Sequence, residues 1–506
     1  MGRVTFSYFN PPQILKTIIV LASILLAYFI QETNLAALRE DGVSLRQEQT
    51  IKTADDISYL SPALTYYNTG SIYVDEIQKY QSITRSPGYG FIYGVFLYTL
   101  GQDNALSGLK WFQLLLFGLS IYLFFGISSY FIKNTLLAYT IVAFYALLPF
   151  SHGFIYYTLT EGITPSLTII YFYLLLRAHD VKSQKTFLWS AFVLAIIIAV
   201  RPFLLLYGIP LIGLMYLDFI KEKKQLVQLL IFSVVISWVF MGAWQIRNYV
   251  VLDKFTGLHP IYQKEVPGVF RQVHADVWDF YKGFEHKGDR FHESIVPFWQ
   301  KAVRGDTAIA QVNKLIASLP SVASDVISSQ KLRAAFSSYQ KVTFLQQEFL
   351  QNEKLIPDWV YKKEQQTSLL FQDLTRDFQR NQPFTYHIKT PLNVFVNLLG
   401  HSSLSLYIFQ KTYRGTWWME GLRILSFLLY AGSFLLCLIA VFFWRKLPEL
   451  ALIALPILIA IVYLCYFQRG TEERYLLPFL PIAFAVAAGL KSRLFAQLRA
   501  NKDSPS

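Results

Sequence analysis

The 506-residue chain is 54% hydrophobic and only 16% charged, and apolar runs of membrane-crossing length recur along it. That balance excludes an ordinary soluble domain. The formal net charge of +13 would point to nucleic acid if it were gathered on one soluble face. Much of the excess instead sits in short loops between apolar runs, where the positive-inside rule accounts for it and no nucleic-acid partner is implied. Cys437 and Cys465 each lie within an apolar run, so no disulfide framework is indicated.

In chain order, Arg3 and Lys16 precede an apolar run at 18–30. It is followed by Gln31-Glu32 rather than a small-residue cleavage site, so it reads as an uncleaved first span. Residues 32–86 form a first polar loop, expected to carry short helices on the membrane surface. The run 91–100 is too short to cross and reads as re-entrant or interfacial. Further spans are expected at 106–125, 134–150, 155–176, 187–200, 203–218 and 227–246. The 249–419 stretch is polar and aromatic without a spanning run. Its pieces 309–336, 342–356 and 360–380 have the period of amphipathic helices. Residues 391–409 read as interfacial, and spans at 420–444, 450–467 and 474–490 close the chain. The expectation is an all-α polytopic protein of about ten spans: a membrane module over 1–248, a mainly helical extracytoplasmic insertion over 249–419, and a second membrane module with its tail over 420–506.

Loop charges orient it. With a cytoplasmic N-terminus, the inner loops carry Lys133; Arg177, Lys182 and Lys185; Lys221, Lys223 and Lys224; and Arg445 and Lys446, and the tail adds Lys491, Arg493, Arg499 and Lys502. The opposite short connections hold Arg201, Arg469 and Arg474 and no lysine. Both termini are then cytoplasmic. Asp55-Asp56, Arg85, Glu161, Arg201, Arg247-Asn248 and Glu472-Glu473-Arg474 fall at outer helix ends. Glu161 is expected about six residues into its span, roughly 9 Å below the outer edge, where a carboxylate requires a cavity or a partner. Arg201-Pro202 joins two short apolar stretches, a hairpin that would dip Arg201 below the surface. Basic residues facing an outward-opening cavity suit an anionic ligand, a phosphate above all.

Several separated patches carry a resemblance. They are Asp55-Asp56 with Tyr59, Gly70 and Arg85-Ser86-Pro87-Gly88-Tyr89; Thr160-Glu161; Arg201-Pro202; Trp244-Gln245-Ile246-Arg247-Asn248-Tyr249; and Glu473-Arg474-Tyr475-Leu476-Leu477-Pro478. In order and sidedness the chain resembles the polyprenyl-phosphate-sugar-dependent membrane glycosyltransferases of the C-type fold, in the bacterial branch of lipid A aminoarabinose transferase and protein O-mannosyltransferase. The resemblance implies that fold in a bacterial inner membrane, with the active site on the outer face. It implies an acidic pair, Asp55 and Asp56, of which Asp55 is catalytic, and Arg85 at the donor phosphate. Relatives often read Lys-Pro-Pro where this chain has Arg-Ser-Pro. The 249–419 region matches nothing in that family, which leaves the acceptor (lipid, glycan or protein) open.

The implied reaction moves a sugar from a polyprenyl phosphate to a hydroxyl, with Asp55 as general base and inversion at the anomeric carbon. Arg85, Arg201, Arg247 and Arg474 are expected around the departing phosphate, and Tyr59, Tyr89, Glu161, Asn248 and Glu473 as further substrate contacts. A lipid phosphate leaves readily, so no cofactor is required; Glu285-His286 and His292-Glu293 are read as solvated loop residues rather than metal ligands. The same residues have structural readings. Asp55 suits a helix N-cap, Glu161 an arginine's buried partner, Arg201 and Arg247 snorkelling anchors, Glu473-Arg474 an internal salt bridge, and Tyr59 and Tyr89 packing. A flippase or transporter would place its charges near the bilayer midplane, often in repeated halves. An oligosaccharide polymerase or ligase, the other rival, also has many spans and a large outer loop.

Overall fold

The structure, a computed structural model, describes residues 13–53, 55–253, 255–258, 272–285, 291–352, 354–407 and 409–502. Arg3 and His286 lie outside them. Helix α1 (Gln13–Glu40) runs unbroken past Gln31-Glu32, where the first span was expected to end. It continues with Gln31 and Asn34 buried against the rest of the protein: Asn34 donates to the Leu406 carbonyl at 2.9 Å. A hairpin of β1 (Leu45–Arg46) and β2 (Thr50–Ile51) follows, turning through Gln47 and Glu48 at positive φ.

Next come α2 (Asp56–Thr69), α3 (Glu76–Gln81), α4 (Pro87–Leu100), α5 (Ala105–Phe131), α6 (Thr135–Leu147), the single turn α7 (Pro149–His152), α8 (Thr164–Val181), α9 (Gln184–Val200), α10 (Gly208–Phe219) and α11 (Lys223–Leu252). Proline sets several boundaries. Pro149 splits the expected 134–150 span, since the residue before a proline avoids the α region. Pro202 ends α9 in the same way, leaving Arg201 extended. The expected 155–176 span starts only at Thr164, with Pro165 in its first turn. Residues before it are held in turns, and the buried Gln113 amide donates to Ile155 O at 2.5 Å. Glu161 therefore lies in a 3-10 turn, Thr160–Gly162, ahead of the helix rather than six residues inside it. Helix α4 packs between α2 and α9 because Gly88 and Gly90 have no side chain. A Cβ on Gly88 would lie 2.6 Å from the Ala199 carbonyl carbon, and one on Gly90 2.7 Å from Tyr59 O.

Residues 272–381 have a core of their own. It is built from α12 (Gln272–Lys282), α13 (Val296–Val303), α14 (Ile309–Ala317), the turn α15 (Ser321–Ser324), α16 (Ser329–Gln351) and α17 (Asp358–Asn381), around Phe280, Phe336, Tyr339, Phe371 and Phe378. The expected 309–336 helix is broken at Pro320, and α16 runs through the gap expected before 342. The chain returns through α18 (Thr390–Leu399) and the turn α19 (Gln410–Tyr413) to α20 (Trp417–Phe442), α21 (Pro448–Val462) and α22 (Leu480–Lys502). Short 3-10 turns, Glu473–Tyr475 and Leu477–Phe479, occupy what was expected as the first turns of the last span.

The described chain is almost wholly helical. Six helical segments are long and apolar enough to cross a membrane: Gln13–Glu40, Ala105–Phe131, Pro202–Phe219, Lys223–Leu252, Trp417–Phe442 and Pro448–Gln468. Apolar helices at Thr135–Leu147, Gln184–Val200 and Leu477–Leu490 are shorter. On α11, Val227, Ile231, Phe232, Val234, Val235, Val239 and Phe240 are all exposed. Leaving each such side chain in water forgoes roughly 1.5–3 kcal/mol, so this face fits an apolar medium.

Two sets of contacts fix the ends of the bundle. At one end His179 Nδ1 meets Asp218 at 2.9 Å and its Nε2 meets Glu449 at 3.4 Å. The other end gathers the N-termini of α2, α4 and α8, the C-terminus of α9 and the 463–476 turns. There Arg469 donates to the carbonyls of Lys282 and Tyr386, the latter at 2.7 Å, tying the 272–381 core to the bundle.

Candidate functional site

Two adjacent carboxylates open α2, and the fold gives them different surroundings. Asp55 stands at the N-cap, yet its side chain makes no capping bond. Thr53 does the capping, its Oγ1 accepting from Asp56 N at 3.1 Å. The Asp55 carboxylate is thus free to point across the loop. It accepts from Arg85 Nη2 at 2.5 Å and from Arg474 Nη1 at 3.3 Å, and its side chain is 32% exposed. Asp56 is fully buried. Arg46 holds it with two hydrogen bonds of 2.8 and 3.1 Å, and the Thr158 hydroxyl donates a third at 3.2 Å. Such a bidentate, enclosed pair fixes where α2 begins.

Arg85 is positioned from three sides. Its Nε donates to Ser58 Oγ at 2.9 Å, its guanidinium lies over the Tyr59 ring at 4.9 Å, and the next residue, Ser86, donates to Val200 O at 2.9 Å. Burial pushes the Tyr59 hydroxyl above its ordinary range, with the Arg85 charge pulling the other way, so Tyr59 is a neutral donor. Tyr89 is fully buried, edge-on to Tyr59, and its hydroxyl donates to Gln113 Oε1 at 3.0 Å. It supports the wall and does not line open space.

Beside this pair sits a second one. Glu161 Oε1 is 3.1 Å from Arg201 Nη1 and 4.0 Å from Arg474 Nε, and the Glu161 and Arg201 side chains are 5% and 11% exposed. Although Nη1 is in ionic contact with Glu161, it is buried without a well-directed hydrogen-bond acceptor. Arg201 lies over the Tyr475 ring at 5.6 Å, and Arg474 also donates to Glu472. The cluster thus holds three guanidiniums (Arg85, Arg201, Arg474) and three carboxylates (Asp55, Glu161, Glu472), which sum to zero. An incoming anion competes with these carboxylates for the guanidinium donors. The immediate surroundings of Asp55 are cationic.

Three expected residues lie elsewhere. Arg247 stacks on Trp244 and Tyr73 at 4.9 and 5.8 Å, and it donates to Ser82 Oγ at 3.4 Å and to Asn248 Oδ1 at 3.0 Å. Asn248 is buried and donates to Thr256 Oγ1 at 3.0 Å. Glu473 turns away from Asp55 and accepts from Ser403 Oγ at 2.8 Å. Arg46, Ser58 and Thr158, absent from the sequence expectation, prove to be the residues that hold Asp56 and Arg85. Among the described residues no group of three or more His, Cys, Asp or Glu side chains is gathered to hold a metal ion. Glu285 accepts from Phe291 N at 3.1 Å, and His292 and Glu293 lie in a π-turn. No protein-family model matches this chain, and no curated protein matches it.

Proposed function

We propose that this protein is a membrane glycosyltransferase of the polyprenyl-phosphate-sugar class, working at the outer face of a bacterial inner membrane. The observation that carries the reading is the convergence of Asp55, Arg85, Glu161, Arg201 and Arg474 at one end of the bundle, with a buried guanidinium donor of Arg201 lacking an acceptor.

In this reading the donor phosphate takes over the Arg85 and Arg474 guanidiniums, which releases Asp55 from its ion pairs. The freed carboxylate removes the proton of the acceptor hydroxyl as that oxygen bonds to the anomeric carbon. The bond from that carbon to the phosphate oxygen breaks, and its electron pair leaves on the lipid phosphate, where Arg85, Arg474 and Arg201 stabilise the added charge. Attack from the side opposite the phosphate inverts the anomeric centre. Tyr59 keeps Arg85 flat against its ring, and Glu161 keeps Arg201 in the cluster when no phosphate is present.

The test is transfer by purified protein in detergent, from radiolabelled polyprenyl phosphate sugars to a membrane-extract acceptor. Asp55→Asn is expected to lower the rate by about two orders of magnitude or more at matched folding. An unchanged rate removes Asp55 from the chemistry. Absence of transfer from every donor, with lipid-linked sugar accumulating on one leaflet in cells lacking the protein, points instead to a flippase.

A further inference from the structure

The turn that carries Arg474 has a second side. Glu473 accepts from Ser403 Oγ and Ser405 Oγ at 2.8 and 3.3 Å, and His401 Nδ1 lies 3.9 Å away. His401, Ser403 and Ser405 line a cavity of about 290 Å³, which Lys411, Arg414 and Arg423 also line. This volume is at the lower edge of the ~300–1,000 Å³ typical of small-molecule sites. Among the described residues no acidic one lines it. Arg423 is paired with Glu420 at 2.6 Å, whereas among the described residues Lys411 and Arg414 make no ion pair. A concave space with two cations unpaired among the described residues, and Ser402 and Gln410 also in its wall, selects an anion with several acceptor oxygens.

Its position narrows the source of that anion. Trp417 and Trp418, 86% and 41% exposed, follow at the start of α20, one of the membrane-length helices. Exposed indoles at the end of such a helix mark the headgroup layer. The cavity therefore opens where lipid headgroups lie.

We infer that the 400–423 cavity seats a phosphomonoester carried by an interfacial lipid, separate from the Asp55 cluster and joined to it through the 472–475 turn. On the transfer reading, this seat holds the acceptor, because the donor phosphate is met by Arg85 and Arg474. That second half rests on the proposed function; the binding itself does not.

Binding is measured on the full chain in micelles doped with phosphatidic acid, against micelles of phosphatidylcholine alone, and with soluble glycerol 3-phosphate as competitor. The Lys411→Gln/Arg414→Gln chain should bind phosphatidic acid roughly ten- to hundredfold more weakly. The same loss should appear in an Arg85→Gln/Arg474→Gln background, and Lys411→Arg/Arg414→Lys should restore binding. Equal affinity of Lys411→Gln/Arg414→Gln and wild-type protein, both folded by thermal unfolding, overturns the proposal. Competition by glycerol 3-phosphate at the strength of the lipid overturns the lipid assignment in favour of a soluble phosphate.

In the transfer assay, Lys411→Gln/Arg414→Gln should raise the half-saturating concentration of membrane-extract acceptor about tenfold or more and leave that of the donor unchanged. A shift in the donor value alone rejects the acceptor role. Absence of transfer by the wild type rejects the glycosyltransferase reading and with it the acceptor role, while the binding arms still decide the seat.

Discussion

Replacing Glu161 by Gln removes a charge from the most enclosed part of the cluster while keeping its shape. The Glu161 and Arg201 side chains are 5% and 11% exposed, with Oε1 and Nη1 3.1 Å apart. At an effective dielectric of about 20, attraction across that distance is on the order of 5 kcal/mol. Taking two ions out of water offsets part of it, but removing one partner strands the other, so the expected loss of stability is about 3 kcal/mol. The contact is ionic rather than a directed hydrogen bond, so the glutamine amide has no means of standing in. Denaturant unfolding in detergent would be compared for wild type, Glu161→Gln, Arg201→Gln and the double variant. Each single variant should lose about 3 kcal/mol, and the double should lose less than their sum, giving a coupling of about 2 kcal/mol. Inorganic phosphate should restore Glu161→Gln more than it stabilises the wild type, because an anion then faces Arg201. A Glu161→Gln protein within about 0.5 kcal/mol of wild type, with additive single losses, would refute the reasoning.

The neighbouring carboxylates at the start of α2 should part company. Asp56→Asn, which breaks the bidentate pair of a fully buried carboxylate with Arg46, should lose about 3 kcal/mol and much of the folded yield, whereas Asp55→Asn should unfold like wild type to within about 1 kcal/mol. Size-exclusion recovery and unfolding midpoints read the difference. Gly88→Ala would drive a methyl group into the Ala199 backbone, push α4 off α9 and move Arg85, at a cost of roughly 1–3 kcal/mol and, on the proposed transfer function, a weakened donor affinity. In the 272–381 core, burial raises the Asp276 carboxyl above its ordinary range, partly offset by hydrogen bonds from the Gln372 and Gln272 amides. A folded pKa above the unfolded one means stability that is fully present in acid and lost as pH rises through the folded pKa. Asp276→Asn should therefore raise the unfolding midpoint at neutral pH, with the gain vanishing as pH falls below the unfolded carboxyl value.

The helical class, the six long apolar helices and the polar patches were legible because apolar run length and charge placement are local properties of the chain. Where proline interrupts, local reading also works, as at Arg201-Pro202. It failed at Glu161 because the 155–163 segment is held in turns by Gln113, a residue more than forty positions away. The hairpin at 45–51 gave no turn signal, since Gln47 and Glu48 rather than Asn-Gly take the positive φ angles. For that reason no local cue in the sequence brings Arg46 back to Asp56. Asp55 and Asp56 look alike in the sequence, and only the tertiary partners, Arg85 and Arg474 for one and Arg46 for the other, separate them. Arg247 shares the charge and helix-end position of the clustered arginines, but Trp244 and Tyr73 hold it elsewhere.

The contact between Asp55 and Arg474 spans 419 positions of sequence. During synthesis at ~5–20 residues per second, Asp55 emerges roughly 20–80 s before the arginine that completes its surroundings. For that interval the nascent chain has Asp55 and Arg85 but lacks the turn shared by the cluster and the serine-walled cavity. A chain that ends before Arg474 therefore holds Asp55 and Arg85 but not the charge set that surrounds them in the folded protein.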